Sequence, residues 1–300
     1  MKNWVKYYYN LIPNDIHQFD QKYKFNIGDD FYVIEKYDRD INEINEILKL
    51  IEYLNYNGIY CHRIVPNNNN EIITIMEGNK YILLKAHNKL EEKITLEYIE
   101  IFSNITYNID NLNLKRNNWK ELWSNKLDYF EYQLSQFGQN KPIIRESFHY
   151  FEGLAENAIS LLNQATNSKI TNVISHKRLK CNLTAFEFYN PLNFIIDFKV
   201  RDSCEYFKDL AVNKKDIYSI IEQYILESNF SYDEYLYFFI RLLYPTPYFD
   251  CFERIIENKS DEDNLKQIIL SVNENELLLK KVYKLLSNYI NMPDIEWLKK

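Results

Sequence analysis

The sequence predicts an α+β chain of two lobes: a small antiparallel β lobe carrying one helix, then a larger, mostly helical lobe. Three observations lead there. In the first 86 residues, two pairs of β-rich runs are each joined by a glycine-centred turn. From about Leu90 onward, apolar residues recur at helical spacing. Between Thr171 and Ala211 that spacing is broken by the short apolar runs Val173-Ile174 and Phe194-Ile195-Ile196, which stop at His176 and Asp197. The predicted division is residues 1–88 and 89–300, with 171–211 inside the second lobe. No linker separates them, so the lobes form one structural unit.

Trp4-Val5 through Leu11-Ile12, stopped by Pro13-Asn14-Asp15, reads as a short helix. Tyr23–Ile27, Gly28-Asp29-Asp30 and Phe31–Tyr37 read as a hairpin. Asp40 can cap the helix that follows. Its apolar face is Ile41, Ile44, Leu48, Ile51 and Leu54, ended by Asn57-Gly58. Ile72–Met76, Glu77-Gly78-Asn79 and Lys80–Lys85 make a second hairpin. In the second lobe Ile94 to Asn108 is one helical segment. Trp119, Trp123, Leu127, Phe130 and Leu134 form a stripe whose tryptophans read as core. Phe151, Leu154, Ala158, Ile159 and Leu162 mark another helix. Asp209 is expected to open a helix, since aspartate favours the N-cap. Further helices are expected near 214–227, 231–244, 249–257, 262–273 and 275–290. Ser231 and Glu234 form a capping box in the second of these, and Pro245 closes it.

Composition excludes several functions. A net charge of -7 argues against nucleic acid and against an anionic membrane surface as partners. No apolar run reaches the roughly 18–20 residues of a membrane span, and no signal peptide is visible. Cys61, Cys181, Cys204 and Cys251 are scattered, which fits reduced thiols rather than disulfides or a metal site. Cys61-His62 are neighbours on one run and point to opposite faces. The five glycines never cluster, so no glycine-rich phosphate loop is present.

His176-Lys177-Arg178-Leu179, Ile195-Ile196-Asp197-Phe198 and Asp209-Leu210-Ala211 resemble three motifs of the aminoglycoside phosphotransferase and choline kinase-like superfamily. These are the catalytic loop H-G-D-x-x-x-x-N, the metal segment I-D-[FW] and the D-L-A brace. Tyr150–Ile159, Arg241-Leu242-Leu243-Tyr244-Pro245 and Tyr248–Glu253 resemble the YutH branch of the spore-coat kinase-like CotS/YutH family. The resemblance implies a bilobal protein-kinase-like fold. It implies that Asp197 is the metal aspartate, that Asp209 braces the loop and that His176 holds it without transferring protons. It also implies a lysine on the second strand. Glu35 falls at that position, Lys36 lies one place on, and Lys85 is a further candidate. Glu43 or Glu46 would pair with the lysine, although each also reads as a solvated charge.

The chain departs from the pattern at the loop. Arg178 stands where the catalytic aspartate belongs and Leu183 where the loop asparagine belongs, with Asn182 one residue early. A guanidinium stays protonated and accepts no proton. The resemblance therefore implies a degenerate, pseudokinase-like protein. It would be made in the cytoplasm and deposited on the spore coat, act in coat assembly by binding other coat proteins, and need no cofactor. The alternative is an active or nucleotide-binding small-molecule phosphotransferase using ATP and Mg²⁺, with Glu187 or Asp202 as a relocated carboxylate.

Overall fold

The computed structural model describes residues 1–19, 22–87, 91–105, 113–165, 170–213 and 216–299. The expected lobe boundary at 88/89, the end of the segment read to Asn108 and the helix start read near 214 lie outside them. The chain divides into two units. Unit 1 is Met1–Ile94, Ile109–Leu114 and Asn182–Ile195; unit 2 is Thr95–Asn108, Lys115–Cys181 and Ile196–Lys300. Residues 182–195, read from sequence as part of the helical lobe, thus group with the β lobe.

Unit 1 opens with α1 (Lys2–Tyr9), followed by β1 (His17–Phe19), β2 (Lys22–Ile27), β3 (Asp30–Lys36), α2 (Glu43–Tyr56), β4 (Arg63–Val65), β5 (Thr74–Met76) and β6 (Asn79–Lys85). The strands form one sheet in the order β1-β2-β3-β6-β4, with β5 also paired to β6. Every pairing is antiparallel. The sequence reading missed β1 and β4, three-residue edge segments too short to show alternation. Both predicted hairpins form around two-residue turns. At the second, Glu77 and Gly78 both take positive φ, 51° and 77°, the twist that matches paired strands. In β3 and β6 consecutive residues are buried, Tyr32-Val33-Ile34 and Ile82-Leu83-Leu84, because both sheet faces are covered. On one face Val5 and Tyr9 of α1 pack with Phe25, Tyr32, Ile34 and Leu83.

Helix α2 buries Ile44, Ile47, Leu50 and Leu54, and Ile41 is 54 % exposed. The expected face was Ile41, Ile44, Leu48, Ile51 and Leu54. Both sets fit a 3.6-residue period, and burial against the rest of the unit selects between them. Asp40 accepts the Asn42 N–H at 2.9 Å, and the helix begins at Glu43.

Unit 2 holds α3 (Leu96–Ser103), α4 (Trp119–Phe137), α5 (Pro142–Gln164) and β7 (Asn172–His176). The short α6 (Ala185–Phe188) belongs to unit 1 and starts with a Thr184–Glu187 capping box. Strand β8 (Phe194–Phe198) pairs with β7. Then come α7 (Arg201–Asn213), α8 (Tyr218–Glu227), α9 (Tyr232–Leu243), α10 (Thr246–Ile256), α11 (Asn264–Leu270), α12 (Val272–Leu286) and α13 (Glu296–Lys299). The α4 stripe is buried from Trp119 to Phe130, as its spacing predicts, and α9 carries the predicted Ser231–Glu234 box. Helix α5 starts well before Phe151, with Pro142 at its first turn, where a missing N–H costs nothing.

His62, just before β4, is 1 % exposed and packs its ring on Phe186 of α6, 4.6 Å between centroids. Burial pushes its imidazole down to about 4. The unfolded chain therefore binds a proton that the native state refuses between about pH 6.5 and 4. The native state holds its full advantage above that window and loses it as pH falls through it. Urea unfolding of the wild type should lose about 2 kcal/mol between pH 7.5 and 5 from this group. His62→Leu should remove that part of the slope.

Candidate functional site

The apolar run of β7 carries the chain inward and leaves His176 buried at 1 % exposure. Opposite it stands the first turn of α7. Asp202 accepts the His176 backbone N–H through both carboxylate oxygens, each at 3.1 Å, and lies 2.7 Å from the ring Nδ1. Its neighbour Arg201 donates from Nε to the His176 carbonyl and from Nη2 to the Lys177 carbonyl, both at 3.3 Å. Asp209 accepts the Cys181 N–H at 2.9 Å. The helix begins at Arg201, so Asp209 sits in its later turns and not at an N-cap. The Arg201-Asp202 pair takes the opening position that the sequence reading gave to Asp209.

Arg178 is half-exposed. It pairs with Asp250 of α10 and lies 3.6 Å from Glu253 on the same helix face. The Leu183 carbonyl accepts the Ile94 N–H at 2.9 Å within unit 1. Positions 178 and 183 therefore fall in different units.

Asp197 is fully buried at the end of β8. Its Oδ1 accepts the Trp119 indole N–H and the Phe198 N–H, each at 2.8 Å; its Oδ2 accepts from Arg201 Nη1 at 2.7 Å. Burial pushes the carboxyl above its ordinary range, and Arg201 and Arg241 pull against that. Mg²⁺ takes oxygen ligands and keeps several waters. A buried carboxylate already held by three protein donors offers it no open position. The resemblance implied a metal for Asp197; its partners in the structure are Trp119, the Phe198 N–H and Arg201.

Below Asp197 lies a second buried charge group. Glu205 of α7 accepts from Arg241 Nε of α9 at 2.7 Å and pairs with Lys208 at 2.5 Å. Burial opposes its charge, but the attraction of Arg241 and Lys208 takes its carboxyl down to about 2. Lys208 also donates to the Arg241 and Tyr244 carbonyls. The Arg241 guanidinium lies 4.9 Å from the Trp119 ring and 5.4 Å from the Trp123 ring, so the predicted core stripe also carries cation–π contacts.

Among the described residues the β-lobe candidate lysines pair with aspartates. Glu35 accepts from Lys22 at 3.0 Å and from Asn190 at 2.8 Å. Lys36 lies 3.6 Å from Asp38, and Lys85 donates to Asp30 at 2.6 Å. Glu43, read as a possible solvated charge, is buried at 6 % exposure and pairs with Arg39. Arg39 also donates from Nη1 to the Leu192 and Phe194 carbonyls at 2.8 and 2.7 Å, all within unit 1. Glu46 is likewise engaged, accepting from Asn113 and the Leu114 N–H. Glu187 is committed to its capping box and Asp202 to His176, so both relocated-carboxylate candidates already have structural work.

Arg39, Arg201 and the Glu205–Lys208–Arg241 group were missed from sequence. A usable signal existed for Arg201: an Arg-Asp pair four residues after a strand-end aspartate, at a helix start.

A family model described as "Spore coat putative kinase YutH" matches residues 2–282. The "Endospore coat-associated protein YutH" of Bacillus subtilis (strain 168) is 25% identical over 166 residues, 48% of this chain and 48% of that protein. The match thus spans about half the length of that relative. Among solved structures, an aminoglycoside phosphotransferase from Alicyclobacillus acidocaldarius superposes with TM-score 0.62 at 10% identity, covering 93% of this chain and 94% of its own. Choline kinase LicA from Streptococcus pneumoniae superposes with TM-score 0.54 at 10% identity, covering 94% and 97%. At such identity the likeness shows the fold: a kinase-like small antiparallel sheet lobe and a larger helical lobe.

Asp202→Ala should cost about 2–4 kcal/mol, because it removes a buried carboxylate that accepts the His176 backbone N–H and lies beside its ring. Arg178→Ala should cost less than about 1 kcal/mol, because its pair is solvent-accessible. Glu205→Gln should be worse than either, at about 3–5 kcal/mol, since it leaves two buried cations uncompensated. Guanidinium unfolding of the three variants checks the order.

Proposed function

Since this chain belongs to the spore coat YutH family, we propose that it serves the coat as a binding protein whose phosphotransferase chemistry has been lost. The observation that carries this is Arg178. Phosphoryl transfer needs a carboxylate to orient the attacking hydroxyl. This chain puts there a permanently charged donor with no acceptor atom, tied to Asp250 and Glu253. Leu183 adds no metal ligand at the second loop position. The coat setting rests on the family and on the coat-associated relative. The partners are other coat proteins, met through a preserved kinase-like scaffold.

A second reading, nucleotide binding without transfer, draws support from the braced loop: Asp209 accepts the Cys181 N–H, the bracing role the resemblance implies, and Asp202 holds His176. A thermal shift separates the two. ATP with Mg²⁺ at about 100 times its dissociation constant would stabilise the protein by about 2.7 kcal/mol, and the leading reading expects no shift.

Purified protein given Mg²⁺-ATP with aminoglycosides or choline should transfer no phosphate. Arg178→Asp should stay inactive, because Leu183 still brings no ligand. Transfer by the wild type that Asp197→Asn abolishes would overturn the loss of chemistry. In sporulating cells the tagged chain should be recovered in the extracted coat fraction; recovery only from the mother-cell cytoplasm would overturn the coat reading.

A further inference from the structure

We propose that the Arg201 guanidinium takes the place of a divalent cation on Asp197, so that this loop is ordered by a built-in cation. The inference deepens the non-catalytic reading above and rests on it. Its basis is the set of atoms that Arg201 gathers. One planar fork donates to Asp197 Oδ2 at 2.7 Å and to the His176 and Lys177 carbonyls at 3.3 Å each. That acceptor set is oxygen only, one carboxylate and two backbone carbonyls, which is the kind of set a hard cation collects. Arg201 thereby joins the end of β8 to the start of the loop. Its side chain is 13 % exposed and the carboxylate it faces is not exposed at all.

The two other donors on Asp197 belong to Trp119 and to the next backbone amide, and neither carries a charge. Arg201 is therefore the cation in direct contact with this carboxylate among the described residues. Remove its charge, and a buried carboxylate is left beside two carbonyl oxygens with no cation touching it. Metal affinity should then appear where the wild type has none. It should be weak, as suits a site with one carboxylate.

Terbium(III) is the probe, because it takes oxygen ligands and its emission is sensitised by a nearby indole. Trp119 Nε1 lies 2.8 Å from the carboxylate in question. Tryptophan-excited terbium titrations should be the same for the wild type and for the Arg201→Gln/Asp197→Asn double variant, since both report only surface carboxylates. Arg201→Gln alone should gain a saturable component in the millimolar range that Mg²⁺ displaces. A wild-type component that Asp197→Asn abolishes overturns the proposal, as does a folded Arg201→Gln that gains nothing. If Arg201→Gln does not fold, the wild type still decides. Its Tm should be equal in EDTA and in Mg²⁺, and a saturable Mg²⁺-induced rise lost in Asp197→Asn overturns the proposal. Phosphate transfer bears on the reading of lost chemistry, and these titrations bear on Arg201, so either can fail without the other.

Discussion

Taking a carboxylate out of water costs several kcal/mol unless protein donors replace the water. Asp197, Asp202 and Glu205, which run from the end of β8 into the first turns of α7, are all buried. Each is met from a different element: Asp197 by Trp119 of α4, Asp202 by His176 of β7, Glu205 by Arg241 of α9. Helix α7 is thus the hub of unit 2. An apolar interface alone would tolerate small slips between helices. A donor that must meet a buried acceptor tolerates none, so these bonds fix the relative placement of α4, α7, α9 and β7. The aromatic layer follows from the same constraint: Arg241 faces Trp119 and Trp123, and Tyr244 stacks on Trp123 at 4.1 Å.

Unit 1 also pairs a buried acid with an arginine. The resemblance pairs Glu43 or Glu46 with a strand lysine, but Glu43 is held by Arg39 a turn away in sequence, and the same guanidinium reaches the carbonyls of Leu192 and Phe194. In each unit one acid that the resemblance gave to lysine or metal, Glu43 or Asp197, pairs with an arginine of the same unit. Arginine suits this role because its donors are spread in a rigid fork and it keeps its charge when buried. The kinase-like fold is kept, and in each unit a buried acid is bonded to an arginine.

Much of the architecture was legible from the sequence. Turns such as Glu77-Gly78, the Ser231–Glu234 box and the Trp119–Phe130 stripe are local signals, and local signals survive into the fold. The short β1 and β4 left no pattern to read. The face of α2 was ambiguous because Leu48 and Ile51 fit the period as well as Ile47 and Leu50 do. At the candidate site, the residue types at 176, 178, 183, 197 and 209 could be named from motif spacing. Their partners could not, because Trp119 and Asp197 are 78 residues apart and Arg39 and Phe194 155 apart. Long-range polar pairing has no signature in one sequence, and it decides what Asp197 does.

Residues 182–195 also bear on how the chain is made. They complete unit 1, where Asn190 binds Glu35, Tyr189 takes the His62 N–H, and the Leu192 and Phe194 carbonyls accept from Arg39 Nη1. As the polypeptide leaves the ribosome, the hairpins emerge early and the segment that closes over them emerges much later. During that interval the Arg39 guanidinium lacks its carbonyl partners, and His62 lacks the Phe186 ring that helps bury it. The β-sheet end of the nascent chain therefore lacks these contacts until residues 182–195 have been synthesised.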